Sequence, residues 1–486
     1  MLLWVEAIVL SLMEQQSIQS ILEKFLHSRE PLNEDEIQRL VHEEPELAKL
    51  LILELVGRLR EMPTPDLSTP SGMVPIYEKP AANGRKKKQG RKEGHKGERR
   101  PTPLKIDKEY EHPLEQCPDC GGEVRPYGPK SQRPRIIEDI PEEIKPVVTK
   151  HILPRGYCPN CKKSVEPRIP DALPKAQIGN RLLSLTAHWH YGLGMTLSQI
   201  VGVLGYHLHF TVSAGGLVRM WHRLAEILYV WYEELVDEVQ HSVKLHADET
   251  GWRVNGKTHW LWCFSNNTTT VYLIHPSRGS PALDEFFKEA FEGALITDFW
   301  AAYDAIAKGD RQFCLAHLLR ELKKVDNSNS SEEWCAYSKK AKRLFHDALK
   351  LRAQKDYSPQ KYASRIQCLE GRLVDLALVE STDADVRRLA KRLHKYWDEL
   401  LTFLKKPHVP PTNNHAEREI RPAVIMRKVM QGNQTDQGAR TQAVLMSIYR
   451  TLKRRGLNPA YEITQALSRF ILSKQLPTMP KTPSDG

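Results

Sequence analysis

Four strand-like segments near the middle of the chain constrain its fold more than any other feature. The first three follow one another closely, and Asn266-Asn267 forms a turn between the second and the third. A helical segment at 281–292 precedes the fourth. This order predicts a mixed sheet in which the first three strands form an antiparallel meander. The four segments are 243–247, 257–264, 269–275 and 294–297.

Two aspartates and one glutamate stand where these patterns would bring carboxylates together. Asp248 follows the first strand-like segment and Asp298 follows the fourth. Asn413-Asn414 is a typical helix N-cap, which places Glu417 in the first turn of a helix. Taken singly, an aspartate after a strand is more often a turn or cap residue than a catalytic one. Converging carboxylates would hold two divalent cations, Mg²⁺ or Mn²⁺, which suit displacement at a phosphodiester.

Three other acids lie close to these in the sequence but are predicted to point elsewhere. Side chains alternate along a strand, so Glu249 should face the opposite side of the sheet from Asp248. Asp304 falls on the next helical segment, and Glu419 occupies another helix face than the glutamate two residues before it. The predicted site therefore contains three carboxylates only.

Four of the eight cysteines form two CxxC pairs, CPDC and CPNC. Two such turns complete a tetrahedral site for one structural Zn²⁺, and a strand-like run at 147–153 lies between them, which predicts a zinc ribbon over 105–175. A pair of redox-active motifs is the alternative. The other four cysteines are scattered, which indicates a reducing compartment. The predicted zinc ligands are Cys117, Cys120, Cys158 and Cys161.

A strongly basic segment lies within a linker predicted at 67–104. Residues 84–100 contain nine Lys or Arg and two Glu, and the whole chain has a formal net charge of +11. A segment of this composition cannot bury a core, and it is typical of an arm that contacts DNA phosphates. A solubilising tether is the alternative. The residues predicted to contact DNA are Lys86, Lys87, Lys88, Arg91 and Lys92.

Helical patterns fill most of the remaining chain. Residues 1–66 are predicted to be helical, and 176–240 resemble a helix-turn-helix with a stop at Gly205 and a start at Ser213. Simple helix packing would give the same pattern in 176–240. Residues 326–408 contain no strand candidates and form a predicted helical insertion.

The apolar start of the chain is too short to be a membrane span and is interrupted by Glu6. It also lacks the basic region of a signal peptide. We therefore expect a cytoplasmic protein without a membrane partner. Translation could begin at Met1 or at Met13.

Three segments together resemble the DDE transposases, most closely the insertion sequence sixty-six family. They are HADETGW around Asp248, LITDFWAAYDA around Asp298, and NNHAEREIRPAVIMRK around Glu417. The resemblance runs from about Gly84 to Pro459 and includes the four-cysteine module. It implies a multidomain α+β protein with a ribonuclease-H-like catalytic domain at 241–455 and a C-terminal helix and tail at 456–486.

The resemblance also implies an activity and partners. Such an enzyme cuts DNA at the ends of its own mobile element and joins the freed 3′ ends to a target, with the three acids as catalytic residues. The expected partners are element-end and target DNA, further copies of the chain assembled on DNA, and accessory proteins encoded by the same element. The expected location is the bacterial nucleoid.

Several basic residues near the acids are predicted to contact DNA. The motif Cys314-x-x-His317 resembles one that follows the second acid in several DDE families, although a buried cysteine and a helix-start histidine would look the same. Arg421 lies four residues after Glu417, on the same helix face. The predicted contacts are His317, Arg320, Arg421, Arg427 and Lys428.

Two other functions use part of this pattern. A DNA-binding regulator would need the zinc ribbon, the arm and the helix-turn-helix, but not the three acids. A nuclease of the ribonuclease-H type would need the acids, but not the end-binding modules. Metal-dependent strand transfer on element-end DNA distinguishes all three.

Overall fold

The computed structural model describes residues 103, 105–125, 135–141, 144–354 and 356–482. The predicted helical segment at 1–66 and nearly all of the linker at 67–104 lie outside the described residues. The five arm residues predicted to contact DNA lie there too: Lys86, Lys87, Lys88, Arg91 and Lys92.

The segment with the two CxxC pairs contains a small hairpin. Strands β1 (Gly156–Cys158) and β2 (Lys163–Val165) pair antiparallel. The run at 147–153 does not form a strand, contrary to the prediction, and Val147 and Val148 are 91% and 94% exposed. An apolar, β-branched run forms a strand only where its backbone N–H and C=O groups find a neighbouring strand.

Within the described residues, three α-helices precede the main sheet: α1 (Asn180–Ala187), α2 (Leu197–Leu208) and α3 (Ala214–Gln240). Helix α3 begins after Ser213, as predicted, and the hydroxyl of Ser213 accepts from the N–H of Gly216 at 3.1 Å. Helix α2 passes the predicted stop at Gly205 and ends at His209, whose φ of 50° is left-handed and therefore closes the helix.

Five strands form the main sheet, in the order β5-β4-β3-β6-β7. Strand β4 runs antiparallel to both β3 and β5, whereas β6 runs parallel to both β3 and β7. The predicted mixed sheet is confirmed, although the sequence pattern missed the three-residue strand β7. The strands are β3 (Lys244–Val254), β4 (Lys257–Ser265), β5 (Thr270–His275), β6 (Ala294–Thr297) and β7 (Arg311–Phe313).

Helix α4 (Ser280–Phe286) connects β5 to β6 and is shorter than the predicted 281–292. A run of helices then follows β7. These helices pack around Trp334, Phe345 and Phe403, in a hydrophobic cluster that also includes Ile296 of β6 and Phe313 of β7. They are α5 (Leu315–Asp326), α6 (Glu332–Ala353), α7 (Pro359–Ala377), α8 (Ala384–Leu400) and α9 (Thr402–Lys405).

The last helices, α10 (Asn414–Met430), α11 (Asp436–Arg454) and α12 (Pro459–Ser473), return to the sheet. Helix α11 covers the edge strand β5. The backbone N–H of Thr270 donates to the hydroxyl of Thr451 at 3.1 Å, and the N–H of Tyr272 donates to that of Ser447 at 2.8 Å. These bonds satisfy edge groups that would otherwise pair with another strand.

Gly432 follows α10 at a point where the chain passes very close to the backbone of β3. Its φ is +138°, and a Cβ atom there would lie 2.2 Å from the carbonyl oxygen of Arg253. That same oxygen accepts from the N–H of Asn433 at 2.9 Å, so it cannot move away without breaking the contact. The position therefore requires glycine.

We predict opposite stability changes for two glycine substitutions. Gly432→Ala should lower the free energy of unfolding by about 1–3 kcal/mol because it adds backbone strain. Gly371→Ala, inside α7 with open space around the new methyl group, should raise it by about 0.5–1 kcal/mol. Urea unfolding followed by tryptophan fluorescence measures both, and two changes of the same sign would contradict the analysis.

Candidate active site

The pairing of β3 with β6 places two of the predicted acids side by side. The register sets His246 opposite Ile296, and continuing it by two residues sets Asp248 beside Asp298. Asp248 lies within β3. The sequence pattern had placed it after the end of that strand. The strand continues to Val254 because β4 pairs with it along that length, while β6 has already ended.

Helix α10 packs on the sheet face to which Asp248 belongs. Asp248 lies opposite Cys263 of the neighbouring strand β4. Cys263 is fully buried in a cluster that includes Ile420 and Met426 of α10. Glu417 lies in the first turn of the same helix, as predicted. The fold therefore brings the third acid to the face that carries the first.

The electrostatic environment of Asp248 reflects the carboxylates around it. Burial raises the pKa of Asp248 well above its usual range, and the charges of Glu249, Asp298 and Glu417 raise it further. A hydrogen bond from the N–H of Glu249 at 2.9 Å acts in the opposite direction. Without a cation, the cluster is thus a region of unfavourable negative charge.

Glu249 faces the other side of the sheet, as the alternation of strand side chains predicted. It is 4% exposed, accepts from Arg278 Nη2 at 2.9 Å and from the Tyr303 hydroxyl at 2.6 Å, and its β4 partner Trp262 belongs to a different core cluster. Burial, together with the charge of Asp298, raises the pKa of Glu249 to about 7. Neither Arg278 nor Tyr303 was predicted, because no local pattern shows that their side chains reach Glu249.

The loop after β6 is held by the same group of side chains. A carboxylate oxygen of Asp298 accepts from the backbone N–H of Trp300 at 3.0 Å. The indole of Trp300 donates to the carbonyl of Arg278 at 3.0 Å and stacks on its guanidinium, 3.9 Å from the ring centre. Trp300 therefore packs in the protein and orients the turn that carries Asp298.

The other acids near the site have partners of their own. Asp304 lies in a 3-10 turn and pairs with Arg311 and Lys395. Glu419 is buried and pairs with Arg450 at 2.7 Å and Arg454 at 3.1 Å. Both acids therefore have cationic partners within the structure.

Helix α5 borders Glu417 with two of the predicted DNA contacts. Arg320 Nη2 lies 2.6 Å from a Glu417 oxygen, and His317 Nε2 lies 3.6 Å from it. Burial lowers the pKa of His317, and the charge of Arg320 lowers it further. In this structure the Arg320 side chain, although 56% exposed, is thus engaged by a carboxylate.

The remaining predicted contacts lie along α10. Arg421 and Lys428 are exposed, and Arg427 is half-buried. Arg418 is also exposed and lies three residues before Arg421, on the same stripe of the helix. Sequence analysis did not select Arg418, although the helical period alone would have found it.

Each CxxC pair forms a tight turn. Gly121, with φ of +70°, donates its N–H to the carbonyl of Cys117 at 2.8 Å, and the N–H of Cys161 lies 3.4 Å from the sulfur of Cys158. The N–H of Asp119 is the main cause of a lowered pKa for Cys117, and that of Cys161 for Cys158. Lowered thiol pKa values favour the thiolate, the form that binds metal.

Across the described residues, no three or more His, Cys, Asp or Glu side chains form a group that could hold a metal ion. The two thiol pairs are therefore not joined into one site, and the three acids approach each other without forming a closed ligand set. The donor types fit the predicted ions, because carboxylate oxygens suit hard cations and thiolates suit zinc. A cation would also relieve the repulsion around Asp248.

A family model described as Transposase IS66 family matches residues 175–441, more than half of the chain. The matched range contains the sheet, the three acids and the helices between them. The chain belongs to the IS66 family of transposases. Membership of this family supports a transposase and implies DNA as the partner.

Two proteins of Sinorhizobium fredii (strain NBRC 101917 / NGR234) are similar to this chain. The uncharacterised protein y4jD is 24% identical over 391 residues, which are 73% of this chain and 74% of that protein. The uncharacterised protein y4qI is 24% identical over 327 residues, which are 60% of this chain and 59% of that protein.

A search of the described residues finds no helix that is both long enough and apolar enough to cross a membrane.

We predict that Asp248→Asn stabilises the metal-free protein at neutral and alkaline pH. The folded-state pKa of Asp248 is raised, so its favourable contribution is complete below the unfolded-state pKa of about 3.9 and is lost as pH rises through the folded-state pKa. The amide removes this loss, and each pKa unit corresponds to about 1.4 kcal/mol.

Thermal unfolding in EDTA between pH 4 and pH 8 tests this, with the exposed Asp284→Asn on α4 as the control. The gain should grow with pH for Asp248→Asn and be absent for the control. A pH-independent difference would show that repulsion among the carboxylates is not its source.

Proposed function

We propose that this protein is a DDE transposase. It binds the ends of a bacterial insertion sequence, cleaves the phosphodiester at the 3′ ends and joins them to target DNA. The observation that carries the proposal is the β3–β6 register, which sets Asp248 beside Asp298 on the face where α10 presents Glu417. Family membership supplies the reaction class to which this geometry is suited.

The sheet supports a ribonuclease-H-like catalytic domain over 241–455. Three antiparallel strands continue into two parallel ones, and the first acid lies on the central strand of the five. The helices between β7 and α10 support the proposed insertion at 326–408. The carbonyl of Pro411 accepts from the N–H of Leu315 at 3.0 Å, so the insertion leaves and returns at one place.

Asp248, Asp298 and Glu417 would hold two Mg²⁺ or Mn²⁺ ions. Such ions, when bound, activate an attacking oxygen and stabilise a leaving oxygen at phosphorus. The chain's own residues would tune and place this site. Arg320 pairs with Glu417, and its exposed guanidinium would be able to bind a DNA phosphate if Glu417 held a cation.

The proposed DNA contacts lie on α10 and α5, the two helices beside the acids. Exposed Arg421 and Lys428, with the newly found Arg418, form a basic stripe that begins beside Glu417. Arg427 and His317 are proposed to support it from partly buried positions. Phosphate contacts of this kind fix the path of the duplex without reading its sequence. The basic arm at 84–100 and the helices in 176–240 are the proposed modules for end binding.

The segment 105–175 is proposed to be a zinc ribbon with one structural Zn²⁺. The two tight turns and the lowered thiol pKa values of Cys117 and Cys158 support thiolate ligands. Assembly of the four thiolates would draw the two turns together, because four-coordinate zinc requires all four ligands in one tetrahedron. We also propose that the chain assembles with further copies of itself on DNA, with accessory proteins from the same element, at the bacterial nucleoid.

We predict that Asp248→Asn, Asp298→Asn and Glu417→Gln each reduce 3′-end cleavage and strand transfer to background, because each removes a charged ligand oxygen. The assay uses Mn²⁺ or Mg²⁺ and duplex DNA that carries the inverted repeats flanking the gene. Binding of the same DNA in EDTA should change less than twofold or tighten slightly, since each substitution removes a negative charge.

Asp284→Asn, an exposed acid away from the sheet face, is the matched control and should keep full activity. Wild-type protein that cleaves without joining would point to a nuclease. Protein that binds the repeats without cleaving them under any divalent cation would point to a regulator. Full strand transfer by any of the three variants would remove that residue from the site.

We predict about one tightly held zinc ion per chain, lost in Cys120→Ser. Loss of the metal should unfold the ribbon locally, which hydrogen exchange detects as faster exchange within 105–175 and little change in the sheet. Cys335→Ser, an exposed cysteine on α6, is the control and should retain the ion. Zinc-free wild-type protein with slow exchange in 105–175 would overturn the assignment.

A further inference from the structure

Asn413 stands at the N-cap of α10 but does not cap it. Its side chain makes no hydrogen bond to the helix, and the residue is 1% exposed. The amide is turned toward β3 instead. Its Nδ2 donates to the carbonyl of Ala247 at 2.7 Å, and its Oδ1 lies 3.0 Å from Nδ1 of His246. Since Oδ1 can only accept, His246 carries a proton on Nδ1 and donates it.

The backbone of Asn413 makes two further links. Its N–H donates to the sulfur of Cys314 at 3.1 Å, and the N–H of Cys314 donates to the carbonyl of Thr297 at 2.9 Å. Its carbonyl accepts from the N–H of Glu417 at 3.2 Å. Asn413 is thus bonded to Ala247, which precedes Asp248, and to Glu417. Through Cys314 it is also linked to Thr297, which precedes Asp298.

We propose that the side chain of Asn413 is a positioning group that holds the first turn of α10, and with it Glu417, against the β3 backbone beside Asp248, and thereby sets the affinity of the site for divalent cations. This inference rests on the proposed function. An amide suits the position because it donates and accepts at once, in a fixed plane. Alanine would leave the buried Ala247 carbonyl and the buried His246 N–H without partners.

Helix α10 keeps other anchors when this amide is removed. Glu419 remains paired with Arg450 and Arg454, and the carbonyl of Glu419 still accepts from the Tyr272 hydroxyl at 2.5 Å. Ile420 and Met426 remain buried against the sheet. The substitution should therefore loosen the first turn, where Glu417 lies, while the helix stays docked.

The test is the Mn²⁺ affinity of full-length, metal-depleted protein without DNA, measured from the electron paramagnetic resonance signal of free Mn²⁺. Asn413→Ala should weaken binding by about 10- to 100-fold, as loss of an orienting partner does at other metal sites. Strand transfer should respond as a raised Mn²⁺ requirement, with much of the rate recovered at high Mn²⁺. Binding of element-end DNA in EDTA should stay within twofold of wild type.

Two controls separate positioning from loss of stability. Asn414→Ala alters the exposed neighbour at the start of the same helix and should leave Mn²⁺ affinity unchanged. Met426→Ala removes a buried side chain from the other half of α10 and should lower the melting temperature without weakening Mn²⁺ binding.

Wild-type Mn²⁺ affinity in Asn413→Ala would overturn the inference. An equal loss of affinity in Met426→Ala at an equal loss of stability would overturn it too, because general loosening would then explain the effect. Failure of the proposed function has a different signature: wild-type protein then shows no Mn²⁺ binding that Asp298→Asn removes. In that outcome the inference about Asn413 fails as well.

Discussion

The parallel pairing of β3 with β6 is the constraint on which the rest of the structure depends. It brings Asp248 and Asp298, fifty residues apart in the chain, to adjacent positions on one face. The arrangement is electrostatically costly, since burial and neighbouring carboxylates raise the pKa of Asp248. Carboxylates whose pKa is raised in this way are common at functional sites, and bound cations would offset the cost, in line with the proposed function.

Much of the surrounding structure serves to hold that costly arrangement. On the opposite face, Glu249 accepts hydrogen bonds from Arg278 and Tyr303, and Arg278 supports Trp300, which orients Asp298. On the acid face, α10 and α5 close over the sheet. Hydroxyls of α11 accept hydrogen bonds from backbone N–H groups of the edge strand β5. Those groups therefore cannot pair with a further strand.

The third acid reaches the site by a long excursion of the chain. A helical segment, packed in one hydrophobic cluster with β6 and β7, separates Asp298 from Glu417. Its two ends meet where Leu315 bonds to Pro411, so the segment can fold without moving the acids apart. Closing so long a loop costs only slightly more entropy than closing a shorter one, since the cost grows with the logarithm of its length. Asn413 lies just after this closure and links it to β3.

The sequence by itself determined several elements and the family: the strand that contains Asp248, the strand that Asp298 follows, the helix that begins before Glu417, and the pairing of the cysteines in CxxC motifs. Each of these is written in residues near one another in the chain, as alternation, cap residues or motif spacing. Only the tertiary structure decided that Asp248 lies within a strand, that β7 exists, that 147–153 is not a strand, and that Asn413 and Arg278 join the site. Those outcomes depend on partners far away in the chain, such as Ala247 for Asn413 and Glu249 for Arg278. A local pattern carries no record of which distant group will satisfy a buried hydrogen bond or charge.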